Sequence, residues 1–259
     1  YRQLLTLQLS QSGEPKKALA ELRLSEKEVN RPGSKGHLFS IYYFEVFQNI
    51  SLGDFDAAQA IVRRSQNLYQ EAQQNWDTFA ARRTGWAANV DRAKGILFLA
   101  RGQYREGEAA FAKAEDLMRQ WAVVSTRAGS IVPVSQLQQA ADVMLSQKGM
   151  MKARQGRFAE GEADVRRALI NQLQISGRYN LVSAQISGRF GAILLQQGRF
   201  KDAEAIFRST IETLKTIGLP DTSQLLSNTR LNLATSLNLQ QRWDEANAVY
   251  AALEKSTEN

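Results

Sequence analysis

Small and bulky apolar residues recur along this chain in one fixed order, and residues 197–207, QGRFKDAEAIF, hold its clearest copy. Gly198 is followed by an aromatic residue two positions later (Phe200), a small residue after five (Ala203), an alanine after seven (Ala205) and a bulky apolar residue after nine (Phe207). The same order runs from Gly53 through Phe55, Ala58, Ala60 and Val62, and from Gly102 through Tyr104, Gly107, Ala109 and Phe111. It runs again from Gly156 through Phe158, Gly161, Ala163 and Val165. At Gln241 the glycine is lost, but Trp243, Ala246, Ala248 and Tyr250 keep the rest. Gly13 opens a degenerate copy with Pro15 in the aromatic position, then Ala18, Ala20 and Leu22, which makes six copies.

Each position has a physical reason. Glycine at a helix C-terminus adopts the left-handed conformation that stops the helix without a Cβ clash. Two helices approach to roughly 8–10 Å only where the crossing residues are small. Ala203 with Ala205, and Gly161 with Ala163, are assigned to that crossing, and Phe200 to the wedge beside it. The pattern predicts helices over 2–11, 15–29, 37–52, 54–74, 77–100, 103–124, 135–155, 159–176, 179–197, 201–217, 221–240 and 244–255. Pro15 suits a first helical turn, where its missing N–H costs nothing. Residues 30–36 read as a loop by composition, and Gly218-Leu219-Pro220-Asp221 as a helix stop followed by an Asp N-cap. The tail 256–259 is expected to fray. Successive glycine markers lie 40, 49, 54, 42 and 43 residues apart, counting Gln241 as the last. The two wide steps place a bend or inserted loop at 125–134, around Gly129, Ser130 and Pro133.

These copies resemble the tetratricopeptide repeat, a pair of antiparallel helices in which the glycine ends the first helix and the aromatic residue begins the second. The family places another small residue seven positions before the glycine. Here those positions read Thr6, Val46, Gly95, Gly149, Gly191 and Ala234, of which the last four match and the first two depart. The resemblance implies an all-α fold, a right-handed superhelix of about six helix hairpins forming a single domain over 1–259. Every marker spacing exceeds the 34 residues of the commonest repeat, so longer helices or loops are expected.

Composition narrows the chemistry. The 259 residues contain no cysteine, which removes disulfides, thiolate metal sites and a cysteine nucleophile, and leaves the compartment open. His37 is the single histidine and follows a loop, a poor place for a precise triad; a surface or capping role is expected. There is no GxxxxGK[ST] or GxGxxG phosphate loop, and no HExxH or ExxH metal spacing, so neither cofactor nor metal is expected and the chain reads as a non-enzyme. No apolar run approaches the roughly 20 residues needed to span a bilayer. The first residue is Tyr1 and nothing resembles a signal peptide, so an excised piece of a larger protein or a processed form is expected. Net charge is +7, yet basic residues alternate with acidic ones, and Arg63-Arg64, Arg82-Arg83 and Arg166-Arg167 are isolated pairs with no aromatic stacking platform. That pattern argues against nucleic acid as a partner.

What remains is binding. In the family, first helices line a concave face, and the positions ten and six before each marker point into it. Here these include Tyr43 and Phe47, Arg92 and Ile96, Ser146 and Met150. Positions thirteen before add the amides Asn89, Gln185 and Asn228. An apolar floor with amide edges suits an amphipathic helix or an extended peptide of a protein partner. The competing expectation is that neighbouring helices simply cover these residues. A softer resemblance covers the C-terminal third. Gly177-Arg178-Tyr179, residues 197–204, Gly218-Leu219-Pro220-Asp221-Thr222 and residues 241–246 look like the repeat domain before a bacterial caspase-like CHAT protease. That resemblance implies a sensor domain regulating a hydrolase elsewhere in the same polypeptide. A third reading is a receptor for peptide pheromones.

Overall fold

The computed structural model describes residues 9, 13–31, 33–75, 80–128 and 133–257. Eleven α-helices account for most of them: α1 (Pro15–Val29), α2 (Leu38–Ser51), α3 (Phe55–Asn75), α4 (Ala80–Ala100), α5 (Tyr104–Ala128), α6 (Val134–Arg154), α7 (Phe158–Ser176), α8 (Leu181–Gln196), α9 (Phe200–Thr216), α10 (Gln224–Asn238) and α11 (Trp243–Thr257). A 3-10 turn, Lys35–His37, precedes α2, and no strand occurs among the described residues. The predicted helix over 2–11 lies outside the described residues except at Leu9.

The glycine markers stop helices as their chemistry requires. Gly53, Gly102, Gly156 and Gly198 have φ between 70° and 81°. After α8 the Arg199 N–H reaches back to the Leu194 carbonyl at 3.0 Å and the Gly198 N–H to Leu195 at 3.1 Å, which satisfies two carbonyls left open at the helix end. The same pair of bonds closes α10, where the Arg242 N–H reaches Leu237 at 3.0 Å and the Gln241 N–H reaches Asn238 at 2.9 Å. Gln241 holds φ at 62° with a side chain in place. Helix starts are marked by Asp54, whose Oδ1 accepts from the Ala57 N–H at 2.9 Å, and by Asn180, whose Oδ1 accepts from Val182 at 2.9 Å. Pro15 occupies the first turn of α1.

Two expectations are corrected. The alanines seven after each marker (Ala60, Ala109, Ala163, Ala205 and Ala248) are exposed, whereas the small residues five after it (Ala58, Gly107, Gly161, Ala203 and Ala246) are buried. Two residues of α-helix turn through about 200°, so both positions cannot face one crossing. Asp221 does not cap α10; Ser223 stands at that position and Asp221 pairs with Arg230 instead. At the bend or loop expected over 125–134, α5 runs to Ala128 and α6 starts at Val134; residues 129–132 lie outside the described residues.

Tertiary contacts divide the chain into two compact units, with Glu14 to Met144 in the first and Leu145 onward in the second; the division falls within α6. In the first unit Leu22, Leu38, Ile41 and Tyr42 form a core between α1 and α2. Phe39 stacks on Trp86 with ring centroids 5.4 Å apart, bringing α2 against α4. Ala88, Met118, Ala122, Leu137 and Ala141 join α4, α5 and the first half of α6. In the second unit a larger core runs from Leu145 through Val165, Ile186, Phe190, Ile193 and Phe207 to Leu233, Leu237 and Ala246.

Within the hairpins the small residues are fitted to what crosses them. A Cβ on Gly149 would stand 2.7 Å from the Gly161 carbonyl oxygen, so α6 and α7 touch backbone to backbone. A Cβ on Gly95 would meet the Phe111 ring at 2.6 Å. Successive hairpins of the second unit are also clasped by charge. Glu162 of α7 accepts from Gln197 at 2.8 Å and Arg199 at 3.2 Å, and Glu204 of α9 accepts from Gln240 at 2.9 Å and Arg242 at 2.5 Å. The two glutamates occupy the same repeat position, and so do their partners. In the first unit Gln59 takes that glutamate position and accepts from Arg101 at 2.7 Å.

Candidate binding face

The candidate residues all lie on the first helices of the hairpins. In the first unit α2 and α4 bring three of them together, Tyr43, Asn89 and Arg92. Tyr43 is half-buried, and the Arg92 guanidinium carbon lies 4.0 Å from its ring centroid. Phe44 meets the Tyr43 ring edge-on at 5.2 Å. Asn89 is buried and holds Arg92 through a 3.0 Å bond from Nη1 to Oδ1. Phe47, one turn beyond Tyr43, is 46% exposed. Ile96 is buried in the packing of α4 and presents little to solvent.

In the second unit the candidates are more scattered. Ser146 is fully buried and its hydroxyl accepts from Arg189 Nη1 at 3.0 Å, so a side chain of α8 covers it. Met150 is half-buried against the main core. Gln185 is half-buried; Asn228 is exposed and accepts from Gln224 at 3.1 Å. The reading by position missed Arg189, because it stands nine rather than ten before its marker. Beside it, a Cβ added to Gly188 would meet nothing within 4 Å, so this mid-helix glycine leaves open space rather than making room for a neighbour. His37 is exposed at the start of α2 and makes no side-chain cap.

The opposite side of α2 carries a buried ionisable cluster that the repeat pattern gave no hint of. Glu26 of α1 accepts from the Tyr42 hydroxyl at 3.2 Å and pairs with Arg64 of α3, whose Nη2 also reaches the Tyr42 oxygen at 3.1 Å. Glu45 is 2% exposed and its Oε2 is buried without a partner. Burial first, and the charge of Glu26 second, push the Glu45 carboxyl up to about 7. Burial and then Glu26, acting against the Arg64 charge, raise the Tyr42 hydroxyl to about 12. The exposed end of the second unit offers one shallow depression of about 540 Å³ between the turns at Gly198 and Arg242, lined also by Phe200, Lys201 and Leu239. Arg199 and Arg242 there are engaged by the Glu162 and Glu204 clasps.

The helix pairs, their small-residue crossings and their left-handed glycine stops are the features of one repeat type. A family model described as "Tetratricopeptide repeat" matches residues 140–216. That stretch, from within α6 to the end of α9, reads as tetratricopeptide repeats. Solved structures extend the likeness in fold. The crystal structure of BtubC (BKLC) from P. vanneervenii is similar at a TM-score of 0.57 and 16% identity, over 96% of this chain and 90% of that one. A kinesin light chain with nearly identical TPR-like repeats from Podosopora anserina is similar at 0.52 and 10% identity, over 87% and 97%. A Rap protein complexed with competence and sporulation factor is similar at 0.54 and 12%, over 99% and 76%. No curated protein sequence matches the chain.

Proposed function

We propose that this chain captures a segment of a protein partner on the open face of its first helices, and that it performs no catalysis itself. The observation that carries this reading is Phe47. It is a large apolar side chain left 46% exposed on α2, one turn from the half-buried Tyr43. Leu231 of α10 is likewise 48% exposed, and Asn228, one turn before it, is exposed as well. Apolar side chains with amide and hydroxyl neighbours recognise an amphipathic helix or an extended peptide: the apolar part contributes affinity and the polar part fixes orientation. Asn89 and Ile96 act in this reading as supports beneath the face rather than as ligand contacts, since both are buried. The Rap protein of similar fold is complexed with a competence and sporulation factor, which supports a ligand-holding use of such an array.

The test is selection of a displayed random dodecapeptide library on the purified chain, repeated on Phe47→Ala and Tyr43→Ala. Both side chains lie outside the fully buried core, so the variants are expected to melt with the native chain. Enrichment on the native protein that both variants lose supports the reading. Enrichment that both retain, or none at all, contradicts it.

A further inference from the structure

We propose that Arg92, held by Asn89 and laid on Tyr43, is a seat for the carboxylate of an Asp or Glu side chain in the bound segment, with Phe47 taking an apolar side chain beside it. This inference rests on the binding face proposed above and names the chemistry of its ligand.

The argument starts from what Arg92 lacks. Its Nη1 donates to the neutral amide oxygen of Asn89 at 3.0 Å, its guanidinium carbon lies 4.0 Å from the Tyr43 ring centroid, and its Nε is buried without an acceptor. Among the described residues no carboxylate pairs with it. Three other cations of the same unit do have carboxylate partners: Arg119 reaches Glu115 at 3.1 Å and Asp142 at 3.2 Å, Arg64 pairs with Glu26, and Lys35 reaches Glu71 at 3.0 Å. The carboxylate next to Arg92 in sequence is committed elsewhere, and the one on α2 lies on the opposite side of that helix. Asp91 binds Lys94 at 3.0 Å and Lys113 at 3.2 Å, and Glu45 lies in the cluster with Glu26 and Arg64.

A half-buried guanidinium is thus fixed in orientation by an aromatic face and an amide, with donors left over. Arginine loses little entropy on pairing with a carboxylate once its plane is fixed, and a charged acceptor is the partner that best offsets its lost hydration. Arg92 stands mid-way along α4 rather than at its end. A segment passing over it therefore presents a side chain, not a chain terminus. The formal charge of +7 favours the same ligand at longer range.

The test compares two degenerate dodecapeptide pools, acetylated and amidated at their ends. One contains Asp and Glu among Leu, Phe, Ala and Ser; the other carries Asn and Gln in place of Asp and Glu. Binding is read by fluorescence anisotropy on the native chain, on Arg92→Gln, and on Arg105→Gln, which removes one exposed charge from α5 as a control. The acidic pool is expected to bind the native chain and Arg105→Gln about ten-fold or more tightly than the amide pool, and Arg92→Gln without that preference. The amide pool should bind all three proteins alike. Should Arg92→Gln melt early, Arg92→Lys, which keeps the charge but not the planar fork, should retain a reduced preference. Equal binding of the two pools by the native chain overturns this inference while leaving the binding face intact. So does an acidic preference that survives Arg92→Gln, or displacement of the acidic pool by a single-stranded oligonucleotide in an Arg92-dependent manner. Failure of either pool to bind at all overturns the binding face as well.

Discussion

A Cβ placed on Gly191 would stand 2.6 Å from Cε1 of Phe207. The glycine lies seven positions before the marker Gly198 and the phenylalanine nine after it, so one repeat writes both halves of its own helix contact. The Phe207 ring is fully buried, with nowhere to retreat. Gly95 and Phe111 repeat the relationship in the first unit.

Two alanine substitutions in α8 therefore carry opposite signs. Gly191→Ala overpacks the crossing at about 1–3 kcal/mol, which the roughly 1 kcal/mol gained in helix propensity offsets only in part. Gly188→Ala, three residues earlier, meets nothing within 4 Å and keeps the propensity gain. Urea titration should give a lower midpoint for the first and a higher one for the second. A stabilised Gly191→Ala would contradict the packing described.

The corrected helix phase yields a second pair. Ala203 is buried at the α8–α9 crossing and Ala205 is exposed. Ala203→Leu should cost about 1–3 kcal/mol, and Ala205→Leu should leave the stability within about 0.5 kcal/mol of native, both read from urea titration. Equal losses from both would mean that α9 packs in a different phase.

Gln241 holds φ at 62°, a conformation that a side chain makes costly. Gln241→Gly removes that cost, while glycine's greater freedom in the unfolded chain returns part of it. A net gain of up to about 1 kcal/mol is expected. Gly198→Ala, at the equivalent left-handed stop, should lose a similar amount. Thermal melts of the two variants check the prediction, and a destabilised Gln241→Gly refutes it.

Glu45 links stability to pH. Burial and the neighbouring Glu26 carboxylate raise its folded value from 4.5 to about 7, with Arg64 and Arg23 opposing. Between those values the folded chain keeps a proton that the unfolded chain has lost, so this group's contribution is full below about 4.5 and is lost as pH rises through 7. Glu45→Gln should be more stable than the native chain above pH 7, by on the order of 1–3 kcal/mol, with the advantage shrinking toward pH 5. Melting temperatures across that range decide it. In the second unit Glu204 runs the other way: burial raises its carboxyl, but hydrogen bonds from Gln240, Arg208 and Arg242 together hold it below its usual range. Its share of stability falls away only in acid.

Much of the fold was legible because the repeat encodes itself. The markers Gly53, Gly102, Gly156 and Gly198 stop helices with positive φ, and the loss of glycine at Gln241 did not hide the sixth stop, since Trp243 and Ala246 keep their places. The alanines at 60, 109, 163, 205 and 248 misled because recurrence alone does not say which way a residue faces; helix phase does. The candidate face was only partly legible. Position counting named Tyr43, Asn89 and Arg92, whose side chains meet between α2 and α4, and Phe47, which is exposed. It did not foresee that Arg189 covers Ser146, nor that Glu26, Tyr42, Glu45 and Arg64 converge from three helices. Those contacts join residues outside the repeat's invariant positions, where no periodic signal exists.

The measurement that bears most directly on the proposed function is hydrogen–deuterium exchange of the native chain with and without a dodecapeptide enriched in the selection. Binding at the open face of the first helices predicts added protection over α2 around Tyr43 and Phe47 and over α4 around Arg92, with α3 and α5 changed little. Protection centred on α3 and α5, or none at a saturating peptide concentration, would contradict it.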